Sequence, residues 1–164
     1  MTQTTIKPAP VHKTLTVAAS PRKAFEVFTA GLDKWWPRNA TIGAAALKTA
    51  VMEEKAGGRW YGVDVNGAED QWGEVLAWEP PARVLLAWRI GADWKYDAGL
   101  LTEVEARFTD LGDGRTQVDF EHRLLENVGE QAQALREQLN GGWVGILDSF
   151  AAVVAGQPIP TQTH

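Results

Sequence analysis

The 164-residue sequence predicts an α+β domain: a strongly twisted antiparallel sheet of six or seven strands against a long C-terminal helix, with two short helices between the first and second strands. Three observations predict it. Short alternating segments recur between turn-forming residues from about residue 49 to 123. A helix-start signal, Ser20-Pro21, follows the first strand, and helical apolar spacing returns only after His122.

The elements follow in order. In VHKTLTVA (11–18), Val11, Leu15 and Val17 share one parity, which predicts a strand. Ser20 is the cap and Pro21 the first turn of a short helix whose apolar face is Ala24, Phe25, Val27 and Phe28, and Gly31 stops it. LDKWWP (32–37) supplies one further turn before Pro37. It leaves Trp35 and Trp36 adjacent, expected to point in different directions and not into the same core. Strands are predicted at about 49–55, 58–65, 71–79, 82–90, 101–109 and 115–123. Gly57-Gly58, Asn66-Gly67, Pro80-Pro81 and the stretch Leu111 to Thr116 supply their turns, so the strands form a meander. VGEQAQALREQL reads as helix, interrupted at Asn140-Gly141-Gly142. It resumes with Trp143, Leu147, Phe150, Ala151 and Val154 on one stripe. The domain is expected to span 11–155, between tails at 1–10 and 156–164.

Composition excludes several classes. Cysteine is absent, which removes disulfides, thiolate zinc sites and thiol nucleophiles and fits a cytoplasmic protein. The net charge of −5 argues against nucleic acid as a partner, and no apolar run reaches the length of a membrane span. The three histidines, His12, His122 and His164, have no metal-site spacing, so no metal and no cofactor are expected. GGR at 57–59 and GDG at 112–114 are hairpin turns, not phosphate loops. The serines, Ser149 among them, have no nucleophile-elbow context, and Asp148 is expected on the solvent face of the last helix.

The stretch QWGEVLAWEPPARVLLAW (71–88) crowds three of the eight tryptophans onto one hairpin. If Trp78 pairs with Val84, then Trp88 lies across from Glu74 and Trp72 across from Ile90. One face then carries Trp72, Glu74, Leu76, Trp78, Val84, Leu86, Trp88 and Ile90. One helix about 10–12 Å wide does not cover the whole concave face of such a sheet. Large side chains, a ligand, or both fill the remainder. A bulge would swap part of this face and turn Glu74 to solvent or to a pairing with Arg59 or Arg89. Buried among indoles, Glu74 would instead orient a ligand with a raised pKa. His122 shares parity with Phe120 and is either an acid, base or donor at the cavity end or a half-buried residue bonded to a backbone carbonyl.

On VAASPRKAFEVFTAGLDKWW, EEKAGGRWYGV, WGEVLAWEPPARVLLAW, TEVEARFTDLGDGRTQVDFEH and GGWVGILDSFA, the chain resembles the SRPBCC superfamily, with its START-like helix-grip fold. Within it the chain is similar to the family named after the activator of the heat-shock-protein-ninety ATPase. The resemblance implies a curved sheet gripping the C-terminal helix around a hydrophobic cavity. Members bind lipids, sterols, hormones or polyketides, and some are cyclases. It also places Trp35 and Trp36 at the cavity mouth. The co-chaperone that names the family carries a separate N-terminal chaperone-binding domain, for which this sequence leaves no room.

The leading expectation is a binding protein rather than an enzyme, with a small hydrophobic or aromatic ligand between sheet and helix. The cavity residues expected are Trp35, Trp36, Trp60, Trp72, Glu74, Trp88, Phe108, Phe120, His122, Trp143 and Leu147. Two alternatives stand beside it. One is a cyclase- or aromatase-like enzyme moving protons through His122 and Glu74. The other is a co-chaperone-like module acting on a chaperone ATPase; a homodimer stays open.

Overall fold

A computed structural model describes residues 8–43 and 45–156. Seven antiparallel strands form one sheet: β1 (Val11–Val17), β2 (Leu47–Met52), β3 (Arg59–Asp64), β4 (Glu69–Glu79), β5 (Arg83–Trp88), β6 (Thr102–Gly112) and β7 (Arg115–Arg123). Their spatial order is β1-β7-β6-β5-β4-β3-β2, so a six-stranded meander receives the first strand at its far edge. The helices are α1 (Pro21–Phe28), α2 (Leu32–Trp35) and α3 (Ala132–Val154), and a 3₁₀ turn (Leu125–Val128) precedes α3. The sheet curls around α3, with the two short helices between β1 and β2, as the α+β reading expected. No helix is long and apolar enough to cross a membrane among the described residues.

Local chemistry explains the entry to the fold. Ser20 accepts the Lys23 amide at 3.2 Å as the cap of α1, with Pro21 in the first turn. Helix α1 buries Ala24, Phe25 and Phe28. The tails expected at 1–10 and 156–164 lie largely outside the described residues. Inside the boundary, Pro8 is buried, and the Ala9 carbonyl accepts from Arg136 on α3 at 3.1 Å. The chain therefore docks three residues earlier than expected.

Three expectations are corrected. First, α3 runs unbroken through Asn140-Gly141-Gly142. Two glycines cost a helix about 1 kcal/mol each relative to alanine, but Leu135, Leu139, Trp143, Leu147 and Phe150 are buried along the stripe on both sides of them. Tertiary packing outweighs the local penalty. Second, Trp35 and Trp36 both enter the core, 1% and 3% exposed. Trp35 is the last helical residue, whereas Trp36 is already extended at φ −70° and ψ 124°. The change of backbone direction sends both rings inward, 5.9 Å apart.

Third, the β4–β5 register starts as expected, with Trp78 opposite Val84, then slips. A bulge between Val75 and Ala77 leaves Leu76 unpaired and 38% exposed. Beyond it Gly73, not Glu74, lies opposite Trp88, and Glu74 lies opposite Ala87. A second bulge, between β3 residues Trp60 and Tyr61, leaves Trp72 unpaired on β4 and returns its ring to the concave side. The two bulges keep the tryptophans inside and move Glu74 out.

Candidate functional site

Five α3 residues, Gln138, Leu139, Gly142, Trp143 and Ile146, fall at i, i+1, i+4, i+5 and i+8, one face of a continuous helix. They form one wall of a cavity of about 310 Å³. The segment after α2 adds Trp36, Asn39, Ala40, Thr41 and Ile42. The sheet side adds Trp72 from β4, Trp88 from β5, and Ile90 and Trp94 from the loop that follows. Its buried floor is Trp36, Trp72, Trp88, Ile90, Leu139 and Trp143, and its rim is the exposed Asn39, Trp94, Gln138 and Gly142. No lining residue carries a titratable side chain; besides the indole N–H groups, the polar side-chain groups are the amides of Asn39 and Gln138 and the Thr41 hydroxyl.

Aromatic packing fixes the floor. The Trp36 indole donates to the Ala40 carbonyl at 2.7 Å and stacks on Trp72 with centroids 5.1 Å apart and planes 29° apart. Trp143 packs edge-on against Trp36 at 5.9 Å and Trp88 at 5.7 Å. Trp60 lies behind, 6.0 Å from Trp72 and 5.4 Å from Trp88. The buried indole N–H groups of Trp60, Trp72 and Trp88 have no hydrogen-bond partner among the described residues. An unmet buried donor costs about 1–3 kcal/mol, so this cluster is held by ring packing against a polar penalty.

The cavity takes only part of the space between sheet and helix. Farther in, Phe28, Leu32, Trp35, Met52, Trp60, Leu86 and Val104 close on one another and leave no room for a water molecule. Of the residues expected at the cavity, Trp36, Trp72, Trp88 and Trp143 line it. Trp35, Trp60, Phe108, Phe120 and Leu147 are core residues behind it. Trp35 donates to the Val27 carbonyl at 2.7 Å, and Phe108 packs on Phe25 and Phe28.

His122 also lies behind the wall, fully buried and 5.4 Å from the Trp88 ring. Its Nδ1 accepts the Trp143 indole N–H at 3.1 Å. Its Nε2 lies 2.9 Å from the Thr102 hydroxyl, which itself donates to the Trp88 carbonyl at 2.8 Å. Because indole only donates and the Thr102 proton is committed, Nε2 must carry the ring proton. Burial pushes the His122 pKa down to about 3. The imidazole is therefore a neutral structural link between Trp143 and the sheet, and its lone pair is occupied.

Of the two readings of Glu74, the structure takes the outward one: it sits on the convex face, where Arg89 Nε donates to it at 2.8 Å, and its expected place in the cavity lining is corrected. The bulge in β4 is the physical reason. Glu74 is not among the residues that line the cavity.

The residues missed were Asn39, Ala40, Thr41, Ile42, Ile90, Trp94, Gln138, Leu139, Gly142 and Ile146. Reading the last helix as continuous would have found its four, Gln138, Leu139, Gly142 and Ile146, since they share one face with Trp143. The loop residues carry no periodic signal.

The model of the family described as Activator of Hsp90 ATPase homolog 1-like protein matches residues 18–155. Among solved structures, the chain is similar to the anthrahydroquino-gamma-pyrone synthase Txn09, at 35% identity over 90% of this chain and 97% of that one, with a TM-score of 0.64. It is similar to the self-sacrificing resistance protein CalC from Micromonospora echinospora, at 30% identity over 90% and 94%, with a TM-score of 0.67. The Aha1 dimer from Colwellia psychrerythraea shares 21% identity over 90% and 96%, with a TM-score of 0.59, a likeness of fold. No curated protein matches the sequence.

Proposed function

Because the chain belongs to the family of Activator of Hsp90 ATPase homolog 1-like proteins, we propose that it uses its cavity to bind an uncharged, flat aromatic small molecule of polyketide type. The observation that carries this is the lining itself: five indoles, three neutral polar side chains and no ionisable group. Indole faces favour aromatic rings by about 0.5–1.5 kcal/mol per pair beyond area burial. A fatty-acid carboxylate would find no cation to pair with and would lose its hydration. The volume, about 310 Å³, stands at the lower end of the roughly 300–1,000 Å³ usual for small-molecule sites.

A second reading, cyclisation of such a molecule, is favoured by the 35% identity to a synthase. On this chain it would work by holding a reactive substrate in a folded shape, with Asn39, Thr41 and Gln138 as the polar contacts. Proton transfer through His122 and Glu74 has no support, since one is a neutral buried link and the other lies on the convex face. A chaperone partner rests on the family name alone.

The test is a fluorescence and calorimetric titration with hydroxyanthraquinones, flavonoids, sterols and fatty acids. The aromatic classes are expected to bind saturably and the fatty acids not. Ile146→Trp, which fills the cavity from a half-buried position, is expected to abolish binding while the chain stays folded. Equal binding by Ile146→Trp and wild type would overturn the cavity reading. Turnover of a linear polyketide precursor by wild type, absent in Ile146→Trp, would establish the second.

A further inference from the structure

Two rim residues are of types that their backbone positions disfavour, and side-chain packing accounts for neither choice. Trp94 holds φ at +59° in the turn closed by its N–H to the Gly91 carbonyl at 2.9 Å and by the Gly91 N–H to the Lys95 carbonyl at 3.1 Å; the turn sets the left-handed conformation, but glycine or asparagine suits it far better than a bulky side chain. Burial does not explain it, because Trp94 is 41% exposed. Gly142 sits inside α3, where glycine is a poor helix former. Close packing does not explain that either, because a Cβ there would meet nothing within 4 Å. Both residues line the same cavity. Gly141 beside it is equally open, yet does not line the cavity. Residue choices that depart from local rules concentrate where function requires them.

On the cavity reading above, we propose that Trp94 and Gly142 determine which ligands the site admits. The bare backbone at Gly142 keeps one side of the entrance clear, and the Trp94 indole supplies an aromatic face at the same rim. An entrance bounded by an indole plane and a helix stripped of its side chain suits a flat fused-ring system. It suits a puckered sterol or a flexible acyl chain poorly, since neither stacks on an indole face. Trp94 is thus a residue whose strain is retained for binding, and Gly142 one whose missing side chain is.

The experiment uses 1,2-dihydroxyanthraquinone and cholesterol as probes on the full chain, with thermal unfolding of every variant. Trp94→Gly removes the ring and the strain, so Tm is expected to hold or rise while Kd for the anthraquinone rises at least tenfold. Gly142→Leu and Gly141→Leu are both expected to raise Tm. Only Gly142→Leu should raise Kd tenfold or more, with Gly141→Leu within twofold of wild type. Trp94→Asn, a residue suited to the same backbone conformation, repeats the test should Trp94→Gly loosen the loop. Wild type is expected to bind the anthraquinone at least tenfold more tightly than cholesterol. Equal affinities, or variants at 94 and 142 within twofold of wild type, would overturn this inference and leave the cavity reading standing. A wild-type chain that binds neither probe nor any other aromatic compound would overturn both.

Discussion

Trp143 donates its indole N–H to Nδ1 of His122 across 3.1 Å, and this one bond ties the middle of α3 to the last strand of the sheet. It also decides a protonation state. A protonated Nδ1 would face the indole N–H head on, so charging the ring would break the link.

Stability should therefore fall with acid in a defined window. Burial lowers the His122 pKa from 6.5 to about 3, so between these values the unfolded chain binds a proton that the folded chain refuses. The contribution is complete above pH 6.5 and drains as pH falls toward 3, at up to about 1.4 kcal/mol per pH unit. Urea unfolding of wild type and His122→Gln between pH 7.5 and 4.5 checks this. Wild type should lose stability faster below pH 6.5, because His12 and His164 are common to both. Parallel profiles would mean that His122 is not the titrating group.

A second acid-sensitive group lies on the convex face. Glu105 is 5% exposed and accepts from Arg83, from Arg123 at 3.0 Å and from Arg107 at 3.1 Å. Burial alone would raise its pKa, but hydrogen bonds from Arg83, Arg123 and Arg107 outweigh it and hold the carboxyl at about 2. This contribution is complete above pH 4.5 and is lost as pH falls toward 2. Glu105→Ala leaves the guanidinium groups of Arg83 and Arg123 in a half-buried setting and should cost about 3 kcal/mol. Arg107→Ala, whose side chain is 61% exposed, should cost less than about 1 kcal/mol. Equal costs in chemical denaturation would show the network to be a surface decoration.

Gly73 is the tightest point of the tryptophan hairpin. A Cβ there would lie 1.7 Å from the Ala87 carbonyl oxygen, and that oxygen belongs to the neighbouring backbone. Gly73→Ala must push β4 off β5 at the residue opposite Trp88. The expected cost is about 3 kcal/mol or more, with a red-shifted tryptophan emission. A Tm within a degree or two of wild type would contradict the register.

How much of this the sequence carries differs by element. Alternation in VHKTLTV and the Ser20-Pro21 cap are local signals, and both elements form where they predict. The turn at Pro80-Pro81 set the first pair, Trp78 with Val84, correctly. The bulge at Leu76 left no trace, because leucine and alanine fit either face and nothing in VLA marks the extra residue. Glu74 therefore keeps two readings, inward among the indoles or outward to an arginine, and the bulge selects the pairing with Arg89. Asn140-Gly141-Gly142 reads as a break because propensity is local, while Leu139 and Trp143 hold the helix through contacts distant in sequence. The rim was illegible because Asn39, Thr41 and Trp94 lie in irregular segments, placed by the elements around them.

The unpaired indoles allow one more distinction. Trp60 and Trp143 are both buried, and each touches other tryptophan rings. Trp60 has an unpartnered N–H, whereas that of Trp143 is bonded to His122. Replacement by phenylalanine removes similar volume from each site, with a similar loss of packing. At Trp60 it also removes a buried donor with no partner, which offsets part of that loss. At Trp143 it strands the His122 lone pair at an added cost of about 1–3 kcal/mol. Trp143→Phe should thus be the more destabilising by about 2 kcal/mol or more, measured by urea unfolding at pH 7.5. It should also raise the His122 pKa, seen as an imidazole proton titrating at higher pH by NMR. Equal costs for the two variants, with an unmoved histidine, would mean that the bond between helix and sheet contributes nothing and that the cluster is held by ring packing alone.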